Sequence, residues 1–319
     1  MKIISNYPIN EIALQDISSI LKDYDIVALK RIRKESKQEF LTDSVTKTCR
    51  YCGRSYPQVS FKKRAHTIPE FTGNKKLFSK YECDACNEDY FNLFDNEFAN
   101  FMLPFNTLSG IVVKKNKIPK YKQKGEPIIE FLTDKLSISK VSDSVVGNID
   151  ISPLEIVIKL PAYIPEYIYR CLIKIGLGII PEKDLPAFNP TKKWLMNLNC
   201  QPNIQPSMIF STYPNSLQMN EIVCSVLKRK SSCTKTFSST ILFLSYSNYA
   251  FQTYFPINSK EEANIDIHVF PYIYPTTIDL NKDHAPLRTF NQIDLNSREK
   301  KTDEKITITI TGDRQLNEK

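Results

Sequence analysis

Cys49-Arg50-Tyr51-Cys52-Gly53 and Glu82-Cys83-Asp84-Ala85-Cys86-Asn87 share one pattern, a pair of cysteines separated by two residues, and thirty residues lie between the pairs. Two such knuckles can each turn thiolates toward one ion at about 2.3 Å, the tetrahedral sulfur arrangement that zinc favours. Gly53 permits the tight turn that closes the first knuckle. Four thiolates leave no open coordination position, so Cys49, Cys52, Cys83 and Cys86 are expected to hold a structural Zn²⁺ that stabilises the fold and does no chemistry. An iron–sulfur group is the alternative occupant. Cys171, Cys200, Cys224 and Cys233 are scattered among apolar or loop segments and share no such spacing.

The residues between and after the knuckles carry a second pattern. Val59 and Phe61 alternate, Pro69 ends any regular element, and Gly73-Asn74 marks a turn. From Asn87 onward, Tyr90, Phe91, Phe94, Phe98, Phe101 and Met102 recur with helical period, and Pro104 is expected to stop that helix. The segment reads as two short strands followed by a helix, clipped by zinc.

Charge separates along the same stretch. Of 43 basic and 35 acidic side chains, residues 45–80 hold Lys47, Arg50, Arg54, Lys62, Lys63, Arg64, Lys75, Lys76 and Lys80 against Glu70 alone. The next residues invert the sign with Glu82, Asp84, Glu88, Asp89, Asp95 and Glu97. A basic block beside an acidic one suggests a polyanion-binding face next to a cation site.

At 319 residues and 41% hydrophobic side chains, the chain can build a sizeable core, which excludes a wholly disordered protein. No apolar run approaches the roughly 18 residues of a membrane span, and the first residues lack the apolar core of a signal peptide. A cytoplasmic protein without membrane contact is therefore expected, and a disulfide framework is not.

The chain divides, on this reading, into a partly helical leader (1–44), the cysteine module (45–105), a Lys-rich linker or boundary hairpin (106–145) and a larger α+β domain with antiparallel strands (146–319). In the leader, residues 10–22 fit a short amphipathic helix, and 26–34 start either a strand or a helix. The hairpin would join GIVVKKNKIPKY to PIIEFLTDKLSI. Residues 165–180 and 184–198 read as helices, and 237–255, 265–274 and 305–312 as strands. There is no P-loop, Rossmann glycine pattern or serine-hydrolase elbow in the sequence.

His66 lies inside the basic block, in Lys63-Arg64-Ala65-His66-Thr67-Ile68-Pro69. An imidazole titrates near 6.5, suited to activating water, and neighbouring cations would keep it neutral while holding a phosphodiester against it. A capping role is the structural alternative. Asn87 opens the helix, either as its N-cap or as an oxygen ligand to a hard divalent cation. His268 and His284 lack metal-ligand spacing and read as structural.

The ordered set CRYCG (49–53), KKRAHTIPEF (62–71), GNKK (73–76) and ECDACN (82–87) resembles the HNH endonuclease superfamily, whose fold is a ββα-metal finger. It is most similar to zinc-clipped members with an Ala-His-x-Ile-Pro core, including the nuclease half of some bacterial anti-phage effectors activated by cyclic nucleotides. The resemblance covers about a fifth of the chain. It implies His66 as general base, the four cysteines as zinc ligands, and Asn87 as ligand of a catalytic Mg²⁺ or Mn²⁺, with Ni²⁺ or Zn²⁺ as alternatives. Lys62, Lys63, Arg64, Lys75 and Lys76 would grip the nucleic acid. The residue before the base is often an acidic metal ligand in the superfamily, and here it is Ala65; water or another carboxylate, with Glu70, Glu88 and Asp95 as candidates, would replace it. Asn74 is the nearby asparagine for the role of bracing the base.

The resemblance thus implies a metal-dependent endonuclease acting on DNA, double-stranded in preference to RNA, and cutting as a dimer in many relatives, with 165–198 as the candidate dimer surface. Two other readings remain. One is a zinc finger that binds nucleic acid without cutting it, favoured by Ala65. The other is an effector in which a small ligand on the C-terminal domain activates the nuclease.

Overall fold

The computed structural model describes residues 17–41, 47–132, 135–140, 145–146, 154–213, 218–234, 238–256 and 289–310. The expected strand at 265–274, His268 and His284 lie outside these residues, as does most of the expected leader helix, of which α1 (Ile17–Asp23) is described. The architecture is α+β with antiparallel sheets.

Among the described residues the largest sheet has six strands. β1 (Tyr24–Arg33) forms one edge and pairs with β10 (Met219–Arg229), followed by β11 (Thr240–Ser247), β12 (Tyr249–Tyr254), β9 (Ser207–Thr212) and β13 (Thr289–Asp294), all antiparallel. The run TILFLSYS in β11 is buried at nearly every position, as a central strand covered on both faces requires. β1 settles the open reading of 26–34 in favour of a strand.

Small sheets complete the set. β2 (Glu39–Leu41), β3 (Ala65–His66) and β4 (Leu77–Ser79) form one in the order β2-β4-β3. β5 (Ile128–Leu132) and β6 (Lys135–Ser139) form a hairpin, and β7 (Val145–Val146), β8 (Leu154–Lys159) and β14 (Lys305–Ile310) form another sheet. The hairpin thus lies wholly within 128–139. Of the first stretch only Tyr121 bridges to Ile129, because left-handed Lys115 and Asn116, then Pro119, prevent an extended run there.

Two helices share a core with the large sheet. α2 (Asn92–Leu108) follows a π-helical turn (Cys86–Phe91), and α3 (Pro165–Ile179) packs against it. α2 continues through Pro104, contrary to expectation. Proline forfeits one helical hydrogen bond, but Phe101 and Phe105 on either side pack edge-on against Tyr163, Phe210 and Tyr249 and hold the turn. α3 is buried along nearly all of its length within its own chain, so it offers no face to a second copy. The other expected helical stretch is a 3₁₀ turn (Leu185–Phe188) leading into α4 (Asn189–Met196). Fully buried Arg170 ties α3 to the end of α4 through Glu166 and the carbonyls of Trp194, Leu195 and Asn197.

One continuous apolar cluster runs from Cys49, Tyr51 and Ile68 through Phe94 and Phe98 to Ile168, Leu172, Leu242 and Phe251. Glycines set the closest approaches. A Cβ on Gly176 would lie 2.7 Å from the Phe255 ring, and one on Gly178 would lie 2.9 Å from Thr67 Cγ2 and 3.2 Å from the Tyr51 hydroxyl. Alanine gains up to about 1 kcal/mol over glycine as a helix former, while overpacking costs about 1–3 kcal/mol. Gly178→Ala is therefore expected to lower the urea midpoint at unchanged slope; a raised midpoint would show that the contact relaxes. No helix among the described residues is long and apolar enough to cross a membrane.

Candidate metal centre and active site

Each knuckle turns two thiols inward. Gly53 takes a positive φ of 73°, and its N–H closes the first knuckle on the Cys49 carbonyl at 2.9 Å. The ligand atoms of Cys49, Cys52, Cys83 and Cys86 all lie within 4.8 Å of one another. Two sulfur pairs, Cys49–Cys86 and Cys52–Cys83, stand 3.8 and 3.9 Å apart. A tetrahedron with metal–sulfur bonds of about 2.3 Å has an edge of about 3.8 Å. Burial pushes the Cys83 thiol up to about 11, and the Cys49–Cys86 contact lowers Cys49 to about 5 while it pushes Cys86 up. The donor set and spacing are compatible with structural zinc.

The residues inside the first knuckle reach across to α3. Arg50 Nη1 donates to the carbonyls of Leu177, Gly178 and Ile180 at 2.7, 2.7 and 3.2 Å, where a helix C-terminus presents unpaired oxygens and partial negative charge. The Tyr51 hydroxyl donates to the Lys174 carbonyl at 3.2 Å. Sequence reasoning missed this clamp; its one local signal is an arginine and a tyrosine where a surface knuckle needs neither.

From the knuckle the chain reaches β3. The Asp84 carboxylate accepts from the Ser60 hydroxyl and the Lys62 and Lys63 amides at 2.6, 3.0 and 2.9 Å, which fixes the entry to the strand. His66 is the last residue of β3 and pairs with Phe78 of β4. Between the strands, fully buried Asn74 donates to the carbonyls of Ile68 (2.6 Å) and Leu77 (2.9 Å). Its Oδ1 accepts from the amides of Lys76 (3.0 Å) and Leu77 (2.9 Å). Asn74 thereby staples the loop that carries Glu70; no hydrogen bond joins it to the imidazole.

The His66 side chain is 23% exposed, with Nε2 4.0 Å from Glu70 Oε2 and Nδ1 buried without a partner. Its ring packs on Phe78 at 4.7 Å. Burial holds the imidazole below its ordinary range; Glu70 and Asp95 pull it back up, and Lys174 and Lys75 lower it further. It is therefore neutral, and able to accept a proton, at pH 7.

Lys174, in the middle of α3, lies beneath this site. Its ammonium is fully buried and reaches the His66 carbonyl at 3.3 Å, Asp95 Oδ2 at 3.5 Å and Glu82 Oε2 at 4.0 Å. Burial pushes the Glu82 carboxyl up to about 7 against the pull of Lys174. Asp95 also accepts from the Cys171 thiol at 3.3 Å.

The three acids weighed against Ala65 occupy different places. Glu70 faces His66 and also pairs with Lys75 at 2.9 Å. Glu88 pairs with Lys63 on the exposed surface. Asp95 belongs to the Lys174 cluster. Asn87, half-buried, is the second residue of the π-helical turn rather than its N-cap, because the chain is already helical at Asp84 and Ala85, and its amide donates to the Cys83 carbonyl at 3.0 Å. No hydrogen bond joins Asn87 to His66. Among the basic candidates, Lys62, Lys63 and Arg64 are exposed, and Lys75 and Lys76 line a cleft of about 360 Å³ with Arg33, Lys34 and Glu221.

No curated protein and no solved structure matches the chain. Residues 49–103, however, match the family model described as HNH endonuclease, a span that contains both knuckles, β3, β4 and the first part of α2. With its four clustered thiols, a histidine closing the first of two antiparallel strands and a helix behind them, this segment is similar to the HNH endonuclease family.

Proposed function

We propose that the chain is a metal-dependent endonuclease that hydrolyses DNA phosphodiester bonds with His66 as general base. The observation that carries this reading is the half-buried, neutral imidazole at the end of β3, facing Glu70 inside the matched module. His66 takes a proton from water, the water oxygen attacks phosphorus, and the bond to the 3′ oxygen breaks, the departing oxygen taking up a proton from solvent. The products carry 5′-phosphate and 3′-hydroxyl ends, by analogy with the superfamily. Lys62, Lys63 and Arg64 contact backbone phosphates, which adds affinity without sequence preference.

The oxygen donors on offer, the Asn87 amide and a carboxylate from Glu70 or Asp95, suit a hard ion such as Mg²⁺ or Mn²⁺. When bound, that ion would neutralise charge on the phosphate and the leaving oxygen. Asn74 keeps the β3–β4 loop in register, and Lys174 holds the His66 backbone from below.

The test is plasmid nicking by wild type and His66→Ala in Mg²⁺, Mn²⁺ or Ni²⁺, with zinc content measured alongside. Metal-dependent nicking is expected, falling about 10²–10⁴-fold in His66→Ala while bound zinc is retained. Equal cleavage by both proteins would remove His66 from the chemistry. Retained DNA binding with no cleavage by either would instead favour the finger that binds without cutting.

A further inference from the structure

The finger's small sheet has a third strand that the family match does not include. β2 precedes residue 49 and runs parallel to β4, with Phe40 opposite Phe78. It is joined through Glu39 N–H to the Lys76 carbonyl at 2.8 Å and Lys80 N–H to the Leu41 carbonyl at 3.0 Å. It is an edge strand, and what it presents at that edge is aromatic.

The Phe40 ring stacks on Phe78 at 5.2 Å and 23°, and Phe78 in turn touches the His66 ring. Phe78 is buried, whereas Phe40 remains 36% exposed. Two cations lie over it. The Arg64 guanidinium lies 5.8 Å from the Phe40 centroid and 5.2 Å from that of Phe78, and the Lys80 ammonium lies 5.3 Å from Phe40. Among the described residues neither cation has an acidic partner.

A partly exposed aromatic ring with two mobile cations over it matches a nucleotide: the base takes the open part of the ring, and the long cationic side chains turn to the flanking phosphates. Inside a duplex both faces of a base are covered by its neighbours, so a ring on a protein edge can stack only on a base that has left the helix or was never paired. We infer that Phe40, Arg64 and Lys80 form a stacking subsite for an unpaired nucleotide beside the scissile phosphate. This rests on the nuclease reading for its position relative to the cut, and it sets the substrate. A duplex is cut where a base is unstacked, and single strands are bound directly.

Binding separates the inference from the chemistry. Fluorescence anisotropy of labelled single-stranded DNA of about twenty nucleotides, and of the same sequence as a duplex, is measured on the full chain without added divalent metal. Phe40→Ala and Phe40→Leu are expected to weaken single-strand binding roughly 5- to 150-fold, Phe40→Trp to preserve it, and duplex binding to change far less. Arg64→Ala and Lys80→Ala should weaken both and flatten the salt dependence. Leucine still covers Phe78 but has no π face, so wild-type affinity in Phe40→Leu would overturn the subsite and leave Phe40 as a cover. Equal losses on both DNAs, or no single-strand binding by wild type, would overturn it too. Discrimination by Phe40 in a protein that cuts nothing would instead uphold the subsite and sink the nuclease reading.

Discussion

Cys83→Ser, or removal of zinc by a chelator, is expected to unfold far more than the knuckles. A four-thiolate site of this kind supplies of order 10 kcal/mol of folding free energy, comparable to the whole stability of an ordinary domain, about 5–15 kcal/mol. The loss also spreads. Arg50 and Tyr51 sit between Cys49 and Cys52, and they hold the end of α3 through Leu177, Gly178, Ile180 and Lys174. When the knuckle opens, α3 loses its C-terminal partners, and α3 lies under both α2 and the large sheet. Circular dichroism melts should show the cooperative transition of wild type replaced by a broad, early one. Cys200→Ser, at an exposed cysteine outside the cluster, should melt with wild type. If Cys83→Ser melted with wild type as well, the metal would have no part in holding the fold.

Lys174→Met should cost about 3–5 kcal/mol, the usual penalty for removing one partner of a buried ion pair. Methionine fills most of the space, so packing is nearly kept and the loss is electrostatic. Glu82 would remain buried without its ion-pair partner, with Arg50 the cation still acting on it from farther off, and Asp95 would keep the Cys171 thiol. Adding Glu82→Gln should restore part of the stability, because the double variant buries one charge fewer. Urea titrations of the single and double variants measure this directly. An unchanged midpoint for Lys174→Met would mean that the cluster is not formed in solution. Cleavage should fall too, since the His66 carbonyl loses its anchor.

What could be read from the sequence was whatever depends on short spacing. Cysteines two apart, the Ala-His-x-Ile-Pro string and the apolar period from Tyr90 to Met102 each specify local geometry, and the knuckles, β3 and α2 follow from them. The helix at 165–179 and the strands at 240–254 were legible for the same reason. Lys174 was not. It stands in a largely apolar helix whose other charges, Glu166 and Arg170, pair with each other, and its meaning comes from His66, Glu82 and Asp95, which only the tertiary fold brings near. β2 escaped because three residues carry no period, and Phe40 acquires significance from Phe78 and from cations on two other segments. Pro104 misled because its local cost was visible while the aromatic packing that offsets it was not.

The pairing of β1 with β10 has a consequence for how the molecule comes into being. Tyr24 pairs with Arg229 and Arg33 with Glu221, and the whole finger lies between these two strands in sequence. A ribosome therefore releases the finger well before α3, and α3 before β10, the neighbour of β1 among the described strands of its sheet. At about 5–20 residues per second, knuckles and histidine wait on the order of ten seconds for Lys174 and the carbonyls that receive Arg50. The nascent chain holds the parts of the proposed site in that interval, but not the assembled site.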